Sequence, residues 1–391
     1  MPGQSAESNG DGMRVPASLL HGMSDAQESR PIDGIRPSKV LTPASPHEAA
    51  DLLADAAEHG MAVAPVGGGA SLALGNPPER LDLAISTARL GGISHYEPTD
   101  LTLAVGAGTR FADLRAVLAE HGQGLPLDVP KPEEATIGGL IATALAGPRR
   151  LGSGSLRDLL IGIAVAHPSG TVTKAGGLVV KNVTGFDMMR LYHGSLGTLG
   201  VVVSANFKVL PLARAEATVR ARFASLDEAL VGAAAVRASR LSPVALEAGW
   251  WDGEWHTAVR LEGRPDTVRL LVTEAQGLLG GDQTSLHDNE SATWWQRYVD
   301  AQAIGAEPRD VLLRCGTRPS GTAELARAVV RCLDETGARL LSLAASPGLG
   351  SVLSRVVFDG DSLSAAARLG ALRESRHWPR ESHREALDLL P

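Results

Sequence analysis

Cysteine, aromatic residues and long apolar runs are all scarce in this chain, and each scarcity narrows what it can be. Its 391 residues include two cysteines, Cys315 and Cys332, neither in a C-x-x-C pair. A disulfide framework is therefore not expected, and neither is a zinc or iron–sulfur centre built from this chain alone; a reducing cytosol fits best. No stretch approaches the roughly 18 consecutive apolar residues of a membrane-spanning helix. The opening "MPGQSAESNGDGMRV" is polar and lacks the apolar core of a signal peptide, so residues 1–35 are expected to form a disordered tail. Aromatics make up only 4%, and 37 Lys and Arg against 44 Asp and Glu leave a net charge of −7. With no basic stripe, a nucleic-acid partner is not expected.

What the chain has in quantity is glycine, 44 residues of it, on an otherwise ordinary soluble composition of 44% hydrophobic and 21% charged residues. The length suits two domains. "SKVLTP" predicts a strand. In "SPHEAADLLADAAEHG", Ser45 as N-cap, Pro46 at the first helical position and Glu48 completing a capping box predict a helix ending at Gly60. "MAVAPV" predicts a second strand, running straight into Gly67-Gly68-Gly69, so the unit reads as βαβ. "LDLAIST" and "LTLAVGAGT" read as strands around a turn at "HYEPTD", and Thr109 reads as the cap of a helix closed by Gly122. "KPEEATIGGLIATALAG" is small and apolar, exposing backbone. "DLLIGIAVAHPSGTVT" reads as strand–turn–strand.

The pattern changes at Pro211. Beyond it, alternating segments ("EATVRARF", "PVALEAGWW", "HTAVRLEG", "RDVLLRCG", "RLLSLAAS", "SVLSRVVF") are interleaved with helical ones, including a second capping box at Ser225 and Glu228. This predicts an α+β domain with an antiparallel sheet covered on one face. "GGDQTSLHDNESATW" reads as an exposed loop.

Three glycines in succession after a strand pose a choice between a tight turn and a concavity of backbone N–H groups that binds an anion. The Walker pattern G-x-x-x-x-G-K-[ST] is absent, and "GAGTRF" has Phe111 where the dinucleotide fingerprint needs its third glycine. The glycine loop gains meaning from the ordered set "PVGGGAS", "PTDLTLAVGAGT", "TIGGLIAT", "GGLVVKNVTGFDMMRL" and "GSLGTLGVVV". This succession resembles the FAD-binding domain of the vanillyl-alcohol oxidase type, also called PCMH-type, over roughly residues 36–214. The resemblance implies a two-part FAD domain over 36–214 and an α+β cap domain over 215–391. It implies cofactor contacts from Pro65, Val66, Gly67, Gly68, Gly69, Ala70 and Ser71 to the pyrophosphate. Thr136, Ile137, Gly138, Gly139, Ala142 and Thr143 would lie along diphosphate and flavin, with Pro130, Gly200, Val201 and Val202 completing the set. No cation lies in the glycine loop, so binding would rest on backbone dipoles. The loop holds no His or Cys for covalent attachment, and His95 and His121 match no attachment motif, so the FAD is expected to be non-covalent. Gly68→Asp is expected to expel the cofactor with the fold retained.

"VVKNVTGFDMMRLYHGSLGTLGVV" and "TWWQRYVD" are most similar to the FAD-binding subunits of bacterial three-subunit glycolate oxidases. Related hydroxy-acid dehydrogenases usually carry "GSEGTLG", where this chain has Leu196, and a C-terminal "HxGDGNxH"-like motif, absent here. His377 and His383 lie in a charged tail, and no metal site is expected. Oxidation of a 2-hydroxy acid needs a base and a cation beside the flavin. Lys181, Arg190, His193 and Arg297 are the residues considered, and none is assigned, so the catalytic residues remain unknown at this level. Three readings stay open: an FAD subunit working with a larger FAD-linked hydroxy-acid dehydrogenase subunit and an iron–sulfur subunit; a self-sufficient flavin dehydrogenase; and a non-catalytic FAD-binding scaffold. The expected location is cytoplasmic, with attachment to the inner membrane face, if any, through partners.

Overall fold

A computed structural model describes residues 30–32, 34–75, 78–179, 185–302, 310–357 and 387–390. The chain opens with β1 (Lys39–Leu41), α1 (Pro46–Glu58), β2 (Val63–Val66) and β3 (Leu83–Ser86). These strands form a parallel sheet in the order β1-β3-β2, so the expected βαβ unit is real but β3 is inserted between its strands. Ser45 Oγ accepts from the Glu48 N–H at 3.1 Å, while the Glu48 carboxylate reaches one residue further back, to the N–H of Ala44 at 2.7 Å.

The next stretch runs β4 (Ile93–Glu97), β5 (Thr102–Gly106), α2 (Phe111–Ala119), β6 (Gln123–Gly124), α3 (Ile137–Thr143), α4 (Arg150–Ser153), α5 (Leu156–Leu159), β7 (Leu160–Ala166), β8 (Val172–Gly176), α6 (Met188–Tyr192), β9 (Val201–Lys208) and β10 (Leu210–Pro211). Five of its strands form an antiparallel sheet, β4-β5-β9-β7-β8. Two local expectations change here. "HYE" belongs to strand β4, and the turn lies at Pro98–Leu101. Thr109 does not cap α2; its hydroxyl accepts from the Gly92 N–H at 2.8 Å, and Arg110 takes the N-cap position without a side-chain bond.

From Ala215 onward the elements are β11 (Ala215–Phe223), α7 (Leu226–Ala238), β12 (Ala245–Trp251), β13 (Glu254–Gly263), α8 (Pro265–Leu279), β14 (Asp282–His287), α9 (Asp288–Asp300), β15 (Asp310–Gly316), α10 (Thr322–Thr336), β16 (Arg339–Ser346), β17 (Ser351–Val357) and β18 (Leu387–Leu390). They build an eight-stranded antiparallel sheet, β14-β11-β13-β12-β16-β17-β15-β18. The alternation in "EATVRARF" decides its two faces. Ala217, Val219 and Ala221 point into a core with α7, α8 and α10, which also buries Cys315 and Cys332. Glu216, Thr218 and Arg220 point the other way.

That second face is not open, contrary to expectation. The segment expected as a loop, 280–294, instead supplies β14 and the start of α9. Its Ser291 and Trp294 are buried, as is the next residue, Trp295; Trp295 Nε1 donates to Thr218 Oγ1 at 2.7 Å and Ser291 Oγ donates to Glu216 at 2.7 Å. The Asp288–Asp300 helix also ties back to the first half. Gln296 donates to the Val129 carbonyl at 3.0 Å, and Asp300 accepts from the Lys131 N–H at 2.7 Å.

Beside it lies a buried ionic cluster. Arg260, whose side chain is 4% exposed, contacts Asp128 at 2.9 Å and Glu216 at 2.8 Å; Arg149 contacts Glu216 at 2.9 Å and Glu262 at 2.8 Å. Asp128 and Arg149 come from the first half of the chain, the other three from the eight-stranded sheet. Removing one member of such a group leaves buried charge without compensation. Arg260→Met is accordingly expected to cost about 3–5 kcal/mol at neutral pH, measured by denaturant unfolding. A loss below about 1 kcal/mol would show that the cluster is not energetically buried.

Candidate functional site

The glycine loop faces an open cleft between the parallel sheet, α3 and the start of β9. Its walls include Pro65 to Ser71, Thr136, Gly138, Gly139, Ala142, Thr143 and Gly200 to Val202. Of the residues singled out in the sequence, these converge on one surface. Ile137 is fully buried beneath it, and Pro130 lines a neighbouring cavity instead. Gly197, which opens the segment expected to bring backbone close to the cofactor, lines the cleft as well, while Ala64, Leu74, Thr87, Leu140 and Leu196 are among the wall residues that were not foreseen.

Several of the glycines serve the chain's own packing. A methyl group at Gly68 would overlap the Glu134 carbonyl, and one at Gly197 would overlap the Pro65 ring. Close approach is indeed the reason for glycine, but what approaches is backbone from the 131–136 loop. Gly68→Asp therefore disturbs this packing and does not test the cofactor with the fold held constant, which corrects the expectation above.

The loop's polar groups carry the functional signal. None of the backbone N–H groups from Gly67 to Ser71 donates to another described residue, whereas those of Ile137 and Gly138 are taken by the carbonyls of Thr109 at 3.0 Å and Ala107 at 2.8 Å. Gly69, at φ 87°, helps turn the run into a concave array. Arg30, at the end of the expected tail, reaches the Gly68 carbonyl at 3.4 Å and pairs with Glu134 at 3.1 Å. The sequence had offered no cation near the loop, because this one comes from a segment of unremarkable composition far upstream. A row of free amides with a guanidinium at its edge fits a diphosphate.

The residues weighed for catalysis do not join this cleft. Lys181 lies outside the described residues, as do His377 and His383. Arg190 pairs with Asp187 at 2.8 Å, and Arg297 stacks on Trp251 with its guanidinium 5.7 Å from the ring centroid. His193 is half-buried; burial first, then the positive charge of Arg157, holds it below the ordinary imidazole range. His121 packs edge-on against Tyr96, and His95 lies on β4. No group of three or more metal-ligating side chains occurs among the described residues, and no helix among them is long and apolar enough to cross a membrane.

A parallel βαβ sheet whose glycine loop presents free amides to a cleft, with an antiparallel sheet closing the other side, defines a nucleotide-cofactor domain. Residues 37–176 match the family described as "FAD binding domain", and FAD is the cofactor this match assigns to the region. Among curated proteins, the chain is 37% identical over 230 residues to "Glycolate oxidase subunit GlcE" of Escherichia coli (strain K12), covering 59% of this chain and 61% of that one. It is 30% identical over 211 residues to "Glycolate oxidase subunit GlcD" of Bacillus subtilis (strain 168), covering 54% and 45%, and 29% identical over 208 residues to "D-lactate dehydrogenase" of Archaeoglobus fulgidus, covering 53% and 46%. The matches thus span about three-fifths of the first relative and less than half of the other two. Among solved structures, alkyldihydroxyacetonephosphate synthase shares the fold with a TM-score of 0.65 at 17% identity, over 85% of this chain and 70% of that one.

Two buried titratable groups lie on the sheet face turned toward this domain. Burial, reinforced by the charge of Asp128, pushes the Glu247 carboxyl up from 4.5 to about 8, and burial pulls His256 down from 6.5 to about 4. Between pH 4.5 and 8 the folded chain holds the Glu247 proton that the unfolded chain has lost, so stability falls as pH rises. Between pH 4 and 6.5 the unfolded chain charges His256 while the folded chain does not, so stability rises with pH. The two oppose each other below pH 6.5, and of the pair only Glu247 acts above it. The unfolding free energy is expected to fall from pH 6.5 to 8 by up to about 1.4 kcal/mol per pH unit, lowering the melting temperature with it, and Glu247→Gln should flatten that limb. An equal drop in the variant would assign the effect elsewhere.

Proposed function

We propose that this chain is the FAD-carrying subunit of a multi-subunit 2-hydroxy-acid (glycolate) oxidase or dehydrogenase. It works with a larger FAD-linked hydroxy-acid dehydrogenase subunit and an iron–sulfur subunit in the cytoplasm, at the inner membrane face where its partners place it. Residues 36–214 form the FAD domain and 215–391 the cap. The observation that carries this reading is the row of unengaged amides at 67–71, facing the same cleft as 136–143 and 200–202, in a chain similar to glycolate oxidase subunits.

In this reading the amides of Gly67 to Ser71 hold the diphosphate and Arg30 adds a positive charge at the loop's edge. The small side chains of Gly138, Gly139, Ala142, Thr143 and Gly200 to Val202 leave room along the cleft for the rest of the cofactor. Bound FAD supplies a two-electron acceptor. The cleft wall carries no histidine or cysteine among the described residues, which supports a non-covalent cofactor. Arg190, His193 and Arg297 all point their chemistry elsewhere, which supports placing the substrate-oxidising base on the partner subunit.

Purified alone, the protein should be yellow, with one flavin that acid precipitation releases, and should reduce dye with glycolate only when the partner subunits are added. Turnover by the isolated chain would overturn the subunit reading. Ser71→Asp sets a carboxylate on the cleft without changing the glycine packing. Like charge beside a diphosphate costs on the order of a few kcal/mol, so FAD affinity should fall tenfold or more while the melting temperature of the cofactor-free protein stays the same. Stoichiometric FAD in this variant would rule out the loop as the phosphate site.

A further inference from the structure

Ten large apolar side chains are exposed among the described residues, and six of them fall between positions 178 and 199: Leu178, Val179, Phe186, Leu191, Leu196 and Leu199. Single exposed apolar residues need no explanation, but a concentration of them on one surface marks an interaction site. Phe186 is the extreme case, 91% exposed.

The fold sets these side chains along one route. Leu178 and Val179 follow the last residue of β8, the edge strand of the five-stranded sheet. Helix α6, which Phe186 precedes and Leu191 belongs to, packs on β7 and β8. Beyond it the N–H groups of Gly194 and Leu196 donate to the carbonyls of Ile141 at 2.9 Å and Ala142 at 2.8 Å, which brings the chain to α3. Leu196 there lines the cofactor cleft, and Leu199 stands just before β9. The band thus runs from the sheet edge across α6 to the mouth of the cleft.

Folding does not use this surface. The inward side of α6 is already supplied by Met188, Met189 and Tyr192, which pack into the core of the FAD domain. A surface helix ordinarily turns polar residues outward. Here Leu191 and the adjoining Phe186 are apolar in excess of what the helix buries.

The charges around the band indicate what covers it. Lys174 borders the groove that Met188 and Tyr192 floor, and Arg190 lies on α6 itself. Arg157 and Arg150 stand close enough to His193, at the end of α6, to hold its pKa down. Against these four cations stand two acids, Asp187 beside Arg190 and Asp158 beside Arg157. A locally basic rim is unusual in a chain of net charge −7. Two copies packed band to band would set these cations against each other, whereas an acidic rim on a different protein would complement them.

We propose that the band from Leu178 to Leu199 is the docking surface for the larger FAD-linked dehydrogenase subunit, which meets it with an apolar centre and an acidic rim, and that Phe186 is its anchor. The inference rests on the proposed function for the identity of that partner. Arg190 and Arg297 lie away from this chain's cleft, so its cofactor depends on a neighbouring subunit, and the band leads to the mouth of that cleft.

The test is binding of the purified larger subunit to the FAD-loaded full chain, followed by sedimentation and by titration, with FAD content and melting temperature as fold controls. Wild type should form a stable complex. Phe186→Glu and Leu191→Glu, at exposed positions, should each weaken it at least tenfold. Lys174→Glu should weaken it at least threefold, and more at low salt than at high. Leu270→Glu, equally exposed but on α8, should stay within twofold of wild type. Wild-type affinity in both Phe186→Glu and Leu191→Glu overturns the surface and leaves the proposed function standing. A homodimer of wild type that Phe186→Glu dissolves, or docking of the iron–sulfur subunit alone on this band, overturns the choice of partner. Failure of wild type to bind the larger subunit overturns the proposal, and turnover of glycolate by the isolated chain overturns the proposed function with it.

Discussion

The ion cluster of Arg149, Arg260, Asp128, Glu216 and Glu262 joins two parts of the chain that otherwise have separate cores. Buried ion pairs lose much of their Coulombic gain to desolvation, so the cluster is a poor source of net stability. Its consequence is positional. Two guanidiniums each span carboxylates from both halves, and any rotation of the large sheet against the FAD domain would strand charge away from water. The cost of burial shows in Glu262, whose carboxyl is pushed up even though Arg149 and Arg260 pull it down. Because Asp128 belongs both to this cluster and to the wall of the cavity neighbouring the cofactor cleft, the geometry of that cavity depends on the cluster.

Much of the fold was legible in the sequence because the signals were local. The Ser45 and Ser225 caps needed only three residues of context, and the alternation in 215–223 fixed which side chains share a face. The segment 280–294 was misread for the opposite reason. Its polar residues, Asp282, Gln283, Thr284, Asp288, Asn289 and Glu290, look like a loop until Thr218 and Glu216 are known to lie opposite, supplying partners for Trp295 and Ser291. A hydrogen bond across more than seventy residues leaves no local trace. The cleft was legible as an ordered set of glycine-rich pieces, whereas Arg30 was not, since only folding brings it to Gly68.

The glycines also changed meaning. In the sequence, three in a row suggested that a ligand needs the backbone. In the structure the Cβ positions of Gly67 and Gly68 are blocked by Thr136 and Glu134, so part of the run is explained by the chain's own packing. That packing has a functional effect: it presses the loop against the segment preceding α3, and the two wall segments that must flank one cofactor become a single surface. Amides without internal partners remain on the side away from that contact, where a diphosphate can reach them.

The same period-two rule accounts for the chemistry on the large sheet. Once apolar residues are committed to the α7, α8 and α10 side, every intervening position must face α9 or the FAD domain, and in this chain those positions include Glu216, Thr218, Arg220, Glu247, Arg260 and Glu262. Near the centre of that face the acids find arginines and form the cluster. Glu247 stands beyond the arginines' reach, against Ser346 and the Tyr298 hydroxyl, and so it keeps its proton at neutral pH. A neutral acid costs less to bury than a carboxylate. The charge state of this face is thus a consequence of how one strand pattern distributes charge: paired where the arginines of the cluster reach, protonated where they do not.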